Sequence, residues 1–513
     1  MNIDKRAIID IGSSAIRMSI YEIKDRDIFT VDELWQSIKL GVDTFNTGKI
    51  SRKQIDETLS VLKRYKKYCK ELNVTDIYTV ATTAVREASN IDVFLDNIKT
   101  NTGLDIDILS PNEEIQLIYN ALINNKDTPI KKGGKNCIVE ISAGLMNISI
   151  FADECIIYSR SLPLGSLKLT EDYHKYFSNE KSYPAFLKST LDHELRYLKK
   201  QMPKVKIATV YGICSELEEI SRIVNGDGDI TSVNLADLKN LSDMSQNRTQ
   251  RELVNAMKIP HDITDTLYTA STSYSRILEL FGFQKIFIPD ISLRDAIIKN
   301  RLYCNDYPEY FTNKMRQIKM NAKKIGEMLN FDEKHALKVS KLAIDIFNDT
   351  KEMHKMGNDD EAYLMVAAIL HDVGMCISAR SHHKHSLYII KSQDFFFFDE
   401  NEKNIIANIA RYHRRSEPKP THPDYVMLSQ NDKMKVIKLS SILRLADALD
   451  SSHNQLIRTV KCVVKEDRVV LSPYCNAKIF SEEYAIKKKK SAFEDHFGKK
   501  IVLSPIIEKD KVK

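Results

Sequence analysis

No apolar run in the 513 residues approaches the roughly 18 that a membrane span needs, and the longest, YLMVAAIL, stops at His371-Asp372. A membrane-embedded protein is therefore not expected. Eight cysteines include no CxxC pair, so neither a zinc ribbon nor a thioredoxin-type motif is available. They read as reduced, mostly buried thiols of a cytoplasmic protein. The start, MNIDKRAIIDIG, enters a strand pattern at once and leaves no room for a signal peptide. Net charge is only +6, and no specific nucleic-acid partner is expected from it. The positive charge gathers at Lys131-Lys132, Arg411 to Arg415 and Lys487 to Lys490, either as solvated faces or as a track for a polyanion. With 43% apolar and 28% charged residues the chain is an ordinary globular one, long enough for three or four domains of roughly 100–200 residues.

What is present begins with a repeat. IIDIGSSAIRMSIY (8–21) and IVEISAGLMNISIF (138–151) superpose with a shift of 130 positions, which sets Asp10 on Glu140, Ser19 on Ser149 and Tyr21 on Phe151. The turns differ: Gly12-Ser13-Ser14 faces Ser142-Ala143-Gly144. Around each copy the pattern reads strand, tight turn, strand, strand, then alternating helices and strands. In the first half a helix is expected over about 52–72, with Ser51 and Gln54 at capping-box spacing, and another is opened by Ser110-Pro111. The duplicated plan predicts two α/β lobes with a cleft between facing turns, each carrying a strand-end carboxylate.

From about 315 the texture becomes nearly continuous helix, and beyond 456 it alternates again before a Lys-rich helix. The expected domains are lobe I over 1–128, lobe II over 129–312, an all-α domain over 313–456 and a small α/β tail over 457–513.

Several motifs in this order resemble the exopolyphosphatase/guanosine pentaphosphate phosphohydrolase (Ppx/GppA) family. They are IIDIGSSAIRMSIYEI, ATTAVREASN (81–90), LSPNEEIQLIYNAL (109–122), SLPLGSLKLTE (161–171), ARYHRR, LRLADALDSSH and AFEDHFGKKIVL. The resemblance implies two actin-like, sugar-kinase-like (RNase H-like) lobes, commonly paired as homodimers. It also implies hydrolysis of terminal phosphoanhydride bonds of polyphosphate or of a guanosine nucleotide, pppGpp. On that basis Gly12, Ser13, Ser14, Arg17, Arg86 and Gly144 would bind phosphate. Asp10 and Glu140 would hold Mg²⁺, and Glu114 would be the general base. A capping box from Ser110 accounts for Glu113 but not for Glu114.

The second lobe departs from the family pattern. Asp-Ile-Gly-Gly-Gly-Ser is expected where this chain has Glu140-Ile141-Ser142-Ala143-Gly144-Leu145, and Gly-Gly-Thr where it offers only Gly212 and Ser215. The cleft is then either a hydrolase site with an altered second loop or a phosphate- or nucleotide-sensing module.

Under that second expectation, any hydrolysis would fall to the helical domain. His335, His371-Asp372 and Asp447 follow the order of the HD-domain metal phosphohydrolases, with His385 and His413 where two-metal members carry extra histidines. Imidazoles and carboxylates on rigid helices suit Mn²⁺, Fe²⁺ or Zn²⁺. His382, His383 and Asp450 are weaker candidates.

Overall fold

The computed structural model describes residues 4–507 except 25–26, 126–129, 131–132, 153–154, 178–181, 227–231, 247, 249, 258–262, 307, 394, 396 and 416, with backbone alone at 250, 256–257, 303–306 and 308–313. Lys131-Lys132 and the expected boundary at 128/129 lie outside the described residues. The chain divides into two compact units, Met1–Tyr307 and Pro308–Lys513.

The first unit contains two sheets. One comprises β1 (Asp4–Ile11), β2 (Ala15–Lys24), β3 (Asp27–Ser37), β4 (Asp76–Ala81) and β5 (Ile106–Ile108), in the order β3-β2-β1-β4-β5. The other comprises β6 (Lys135–Ile141), β7 (Met146–Ala152), β8 (Cys155–Leu162), β9 (Ile207–Ile213), β10 (Ser232–Asn234) and β11 (Lys285–Phe287), in the order β10-β11-β9-β6-β7-β8. The repeat is thus one of topology as well as sequence. β1 and β6 each pair antiparallel with the next strand and parallel with a later one, β4 or β9. Both are buried on both faces, as centrally placed strands with parallel neighbours are.

Helices cover the sheets because their apolar residues recur at helical spacing. Arg52–Glu71 buries Ile55, Leu59, Leu62, Tyr65 and Cys69, and Ser51 Oγ accepts from the Gln54 N–H at 3.3 Å. Ser110 and Glu113 form a reciprocal capping box on Pro111–Ile123.

The second unit is helical from Pro308–Met328 to Gln430–Ala448, then adds β12 (Ile457–Val464), β13 (Arg468–Cys475), β14 (Lys500–Leu503) and β15 (Ile506–Ile507). One core runs through both parts, uniting Leu342, Val366 and Leu443 with Val460, Leu471 and Phe493. The segment from 457 onward therefore shares the helices' core. Among the described residues no helix is long and apolar enough to cross a membrane. The seven described cysteines are free thiols, six buried and Cys376 exposed.

A tight approach fixes the turn after His371-Asp372. Gly374 donates its N–H to Ser386 Oγ at 2.9 Å, and that hydroxyl donates to the His371 carbonyl at 2.7 Å. A Cβ on Gly374 would stand 2.2 Å from the His382 carbonyl oxygen and 2.5 Å from Ser386 N. Gly374→Ala is expected to overpack this joint by about 1–3 kcal/mol and to lower the thermal unfolding midpoint of the second unit by about 2–12 °C. A calorimetric scan with an unchanged midpoint would contradict the packing.

Candidate functional site

Two groups of polar side chains are assembled, one in each unit. In the first, the facing ends of β1 and β6 enclose a cavity of about 210 Å³. Its wall includes Asp10, Gly12, Ser13, Ser14, Arg17, Glu114 and Glu140, so seven sequence-predicted residues meet there.

Each comes from a defined place. Asp10 is the last residue but one of β1 and is paired in register with Arg17 on β2; Glu140 is the last but one of β6 and is paired with Asn147 on β7. The shift of 130 positions thus also equates Arg17 with Asn147. Asn147 Nδ2 donates to Glu140 Oε2 at 2.9 Å and Asn147 Oδ1 accepts from Ser161 Oγ at 2.6 Å, a neutral support where lobe I has a cation. Asp10 is 7% exposed and its Oδ1 is buried without a hydrogen-bond partner. Burial raises the Asp10 pKa against the pull of Arg17 and Arg294, and burial also raises that of Glu140.

The two turns close alike. Gly12 N–H donates to the Ala15 carbonyl at 3.0 Å, and Ser142 N–H to that of Leu145 at 2.9 Å. Ser142 Oγ also accepts from Leu145 N–H at 3.1 Å, so a hydroxyl now braces the second turn. The Ala143 carbonyl accepts from Leu167 and Lys168 N–H groups at the start of helix Ser166–Tyr176, which ties this turn to lobe II. Gly144 is not at the cleft wall. A Cβ there would stand 2.4 Å from Thr83 Cγ2 and 3.1 Å from Phe45 Cζ, so it packs closely against lobe I. Gly212 is packed likewise, since a Cβ there would meet Leu217 and Ile286, whereas Ser215 lines the cleft.

Arg86 stands behind the wall and not in it. On the short helix Thr83–Arg86, its guanidinium donates to Glu114 Oε1 at 2.7 Å, to Thr83 Oγ1 at 3.1 Å and to the Leu109 carbonyl. These contacts make it the partner that orients Glu114. Glu114 is 3% exposed, and its pKa is pushed up to about 8, first by burial and then by Glu140 and Asp10, against Arg86.

Sequence reasoning missed Arg294, Glu216 and Glu218 in this wall. Arg294 donates to Ser19 Oγ at 2.6 Å from a helix some 275 residues away, a distance no motif spans. Glu216 Oε1 accepts from Ser166 Oγ at 2.9 Å, and burial pushes Glu218 up to about 7. Both lie in YGICSELEE, where the acids stood in plain view beside the missing Gly-Gly-Thr.

In the second unit, His335, His371 and Asp372 bring ligand-type atoms within 4.8 Å of one another, as do Asp372, His382 and His413. Three imidazoles are oriented the same way. Nδ1 of His335 meets Asp450 Oδ2 at 2.9 Å, that of His371 the Ala368 carbonyl at 2.7 Å, and that of His413 the Ala410 carbonyl at 2.6 Å. His335 Nε2 and His371 Nε2 are buried with no hydrogen-bond partner. Asp447 Oδ1 lies 3.6 Å from His335 Nε2 and 4.0 Å from His371 Nε2, and its Oδ2 accepts from Lys489.

His385 is not in this group; His382 is, with Nε2 3.0 Å from Asp372 Oδ1 and 3.4 Å from His413 Nε2. The helix His382–Ser392 starts after Ser381 at a positive φ of 63° and sets its first residue on Asp372, while His385 packs against Gly374. Burial works against protonation of His335, but Asp447 and Asp450 overcome it and lift the pKa to about 9. Burial also opposes ionisation of Asp372, which His371, His382 and His413 nevertheless hold far below the usual carboxylate range.

The elevated Glu114 has a measurable consequence. Between about pH 4.5 and pH 8 an unfolded Glu loses its proton while the folded one keeps it, so stability falls as pH rises through that window and levels off above it. The unfolding midpoint of the wild type should therefore decline between about pH 5 and pH 8 more than that of Glu114→Gln. Equal slopes would show that Glu114 titrates as an ordinary glutamate.

The Ppx/GppA phosphatase family matches residues 19–302, and Ppx/GppA phosphatase domain III matches 318–485. A guanosine-5′-triphosphate,3′-diphosphate pyrophosphatase of Aliivibrio fischeri is 20% identical over 439 residues, covering 85% of this chain and 86% of its own. One of Photobacterium profundum is 20% identical over 455 residues, 88% of each chain. Among solved structures, an exopolyphosphatase from Cytophaga hutchinsonii superposes with a TM-score of 0.53 at 20% identity, over 58% of this chain and 98% of its own. The Aquifex aeolicus Ppx/GppA family member does so with a TM-score of 0.50 at 22% identity, over 60% and 99%. With more than half its length matched by that one family, and domain III following in order, this chain belongs to the Ppx/GppA phosphatase family.

Proposed function

We propose that the cleft of the first unit hydrolyses the terminal phosphoanhydride bond of a guanosine nucleotide such as pppGpp or of inorganic polyphosphate, as the names of its relatives suggest. The observation that carries this reading is Glu114. Its carboxyl is buried at the cleft wall, held at Oε1 by Arg86, and poised near neutral pH, where a general base is most effective. Oε2 is then the oxygen that takes a proton from an attacking water. The turn at Gly12-Ser13-Ser14 supplies backbone N–H groups, and Arg17 and Arg294 supply positive charge, for the phosphate under attack.

The acids of the wall fit a hard divalent cation. Asp10 presents a buried, unpartnered oxygen, and Glu140 faces the same cavity. Mg²⁺ held there would neutralise phosphate charge as the anhydride bond breaks. Glu114→Gln keeps the shape and removes the base, and is expected to lower phosphate release by about 10²–10⁴-fold. Equal release by wild type and variant would remove the cleft from the account.

A second reading is favoured by the helical cluster, which we take as an HD-type metal centre. Two ring nitrogens without partners, with tautomers set by Asp450 and the Ala368 carbonyl, form a donor set for Mn²⁺, Fe²⁺ or Zn²⁺, with Asp372 and Asp447 as the oxygen ligands. A bound ion there would take the place of the His335 proton. Elemental analysis is expected to find transition metal in the wild type and a marked loss in His371→Ala and Asp372→Ala. Unchanged metal in both variants would contradict the site.

A further inference from the structure

Helix Leu293–Asp306 follows the strands of the second sheet in the chain but packs on β1 and on helix Pro111–Ile123. Its first turn is pinned to two positions of β2 that share a face, Ser19 and Tyr21. Ser292 Oγ accepts from Asp295 N–H at 3.1 Å, and Asp295 Oδ2 accepts from Ser292 N–H at 3.1 Å. The Tyr21 hydroxyl donates to Asp295 Oδ1 at 2.8 Å. Beside this anchor Arg294 Nε donates to Ser19 Oγ at 2.6 Å, and Ser19 Oγ donates to Glu33 Oε1 at 2.7 Å. Arg294 Nη2 lies 3.3 Å from the same Glu33 oxygen. One edge of the guanidinium is thus occupied by the strand pair β2–β3. Among the described residues Nη1 makes no hydrogen bond, and Arg294 belongs to the cleft wall.

We propose that Glu33 and Ser19 are positioning residues that hold Arg294 with Nη1 turned to a non-bridging oxygen of the phosphate in the cleft. The inference rests on the phosphate-binding part of the reading above and adds to it two residues that touch no substrate.

The repeat provides an internal control. Ser149 stands in β7 where Ser19 stands in β2, and both are buried. Ser19 is paired across the strands with Glu33, and Ser149 with Ser159. In lobe II the two hydroxyls bond to each other at 2.7 Å, which satisfies the buried serine without any charge. The fold therefore asks for a hydrogen-bond partner at this place, not for a carboxylate. The acid and the arginine stand in lobe I, whose turn presents Ser13 and Ser14 to the cavity.

Stability does not account for the acid either. Glu33 is 56% exposed, and an ion pair so open to water contributes little. What it provides is direction. A guanidinium is a planar fork, so fixing Nε and Nη2 fixes where Nη1 points. A held arginine has already lost the side-chain freedom that an unheld one would lose when phosphate binds.

Charge alone would give the opposite sign. Removing an acid near an anion site should tighten anion binding by simple electrostatics, whereas loss of the relay should weaken it. The probe is inorganic tripolyphosphate with Mg²⁺, titrated calorimetrically into the full chain. Glu33→Gln is expected to weaken binding by about 3- to 30-fold. Glu33→Asp, which keeps the carboxylate, should weaken it less. In an Arg294→Ala background Glu33→Gln should have no further effect, because it acts through that arginine. Ser159→Ala, the matching loss in lobe II, should leave the affinity unchanged. Unchanged or tighter binding by Glu33→Gln, the same loss without Arg294, an equal loss in Ser159→Ala, or no binding by the wild type would each overturn the proposal.

Phosphate release measured on the same samples tests the hydrolase reading separately. Coupled loss of affinity with no release by the wild type leaves the relay standing and removes that reading. Release that falls in Glu114→Gln, with binding and release indifferent to Glu33→Gln, does the reverse.

Discussion

Like charges brought together out of water govern this molecule. Asp10, Glu114, Glu140, Glu216 and Glu218 converge on one cavity at the facing ends of two sheets. Carboxylates this close and this dry repel one another, and burial raises the pKa values of Asp10, Glu114, Glu140 and Glu218. The surrounding structure can be read as a set of answers to that repulsion. Arg86 is locked onto Glu114, Arg17 stands across the strand pair from Asp10, and Arg294 reaches in from a distant helix. Asn147 and Ser166 give neutral hydrogen bonds to Glu140 and Glu216. Asp10 Oδ1, buried and without a hydrogen-bond partner, is an oxygen that a cation would claim. A cleft of this composition suits a phosphate chain once a cation has entered.

The duplicated strand and turn show how one plan came to serve two purposes. In lobe I the turn carries Gly12, where a Cβ would stand 3.0 Å from the Ala15 carbonyl, and it presents itself to the cavity. In lobe II the same closure is braced by the Ser142 hydroxyl and tied to the helix behind it, with Gly144 pressed against Thr83 of lobe I. The glycines missing from the second turn follow from that change: the turn keeps its shape through side-chain bonds and joins the lobes by packing.

Much of this was legible in the sequence, and what was not has identifiable causes. Strand periodicity, the Ser110 capping box and the repeat gave the lobe architecture, because each is a local pattern backed by local physics. Asp10 and Glu140 stood out as the carboxylates of the repeat, Arg17 and Glu114 were named by resemblance to the family, and all four line one cavity. The hydrogen bond from Arg86 to Glu114 could not be foreseen, since nothing in ATTAVREASN shows which way its guanidinium turns. Arg294 and Glu218 depend on long-range folding. His382 and His385 were exchanged because the choice rests on a positive φ at Ser381 and on Gly374, neither of which the helical pattern reveals.

The claim on which the account turns is that the crowded carboxylates of the cleft require a divalent cation. Its most direct measurement is the shift in thermal unfolding midpoint of the first unit on adding Mg²⁺, compared between the wild type and the double variant Asp10→Asn/Glu140→Gln. A ligand that binds only the folded state raises the midpoint with concentration. The account predicts a clear rise in the wild type and little or none in the double variant. No shift in the wild type, or the same shift in both proteins, would contradict it.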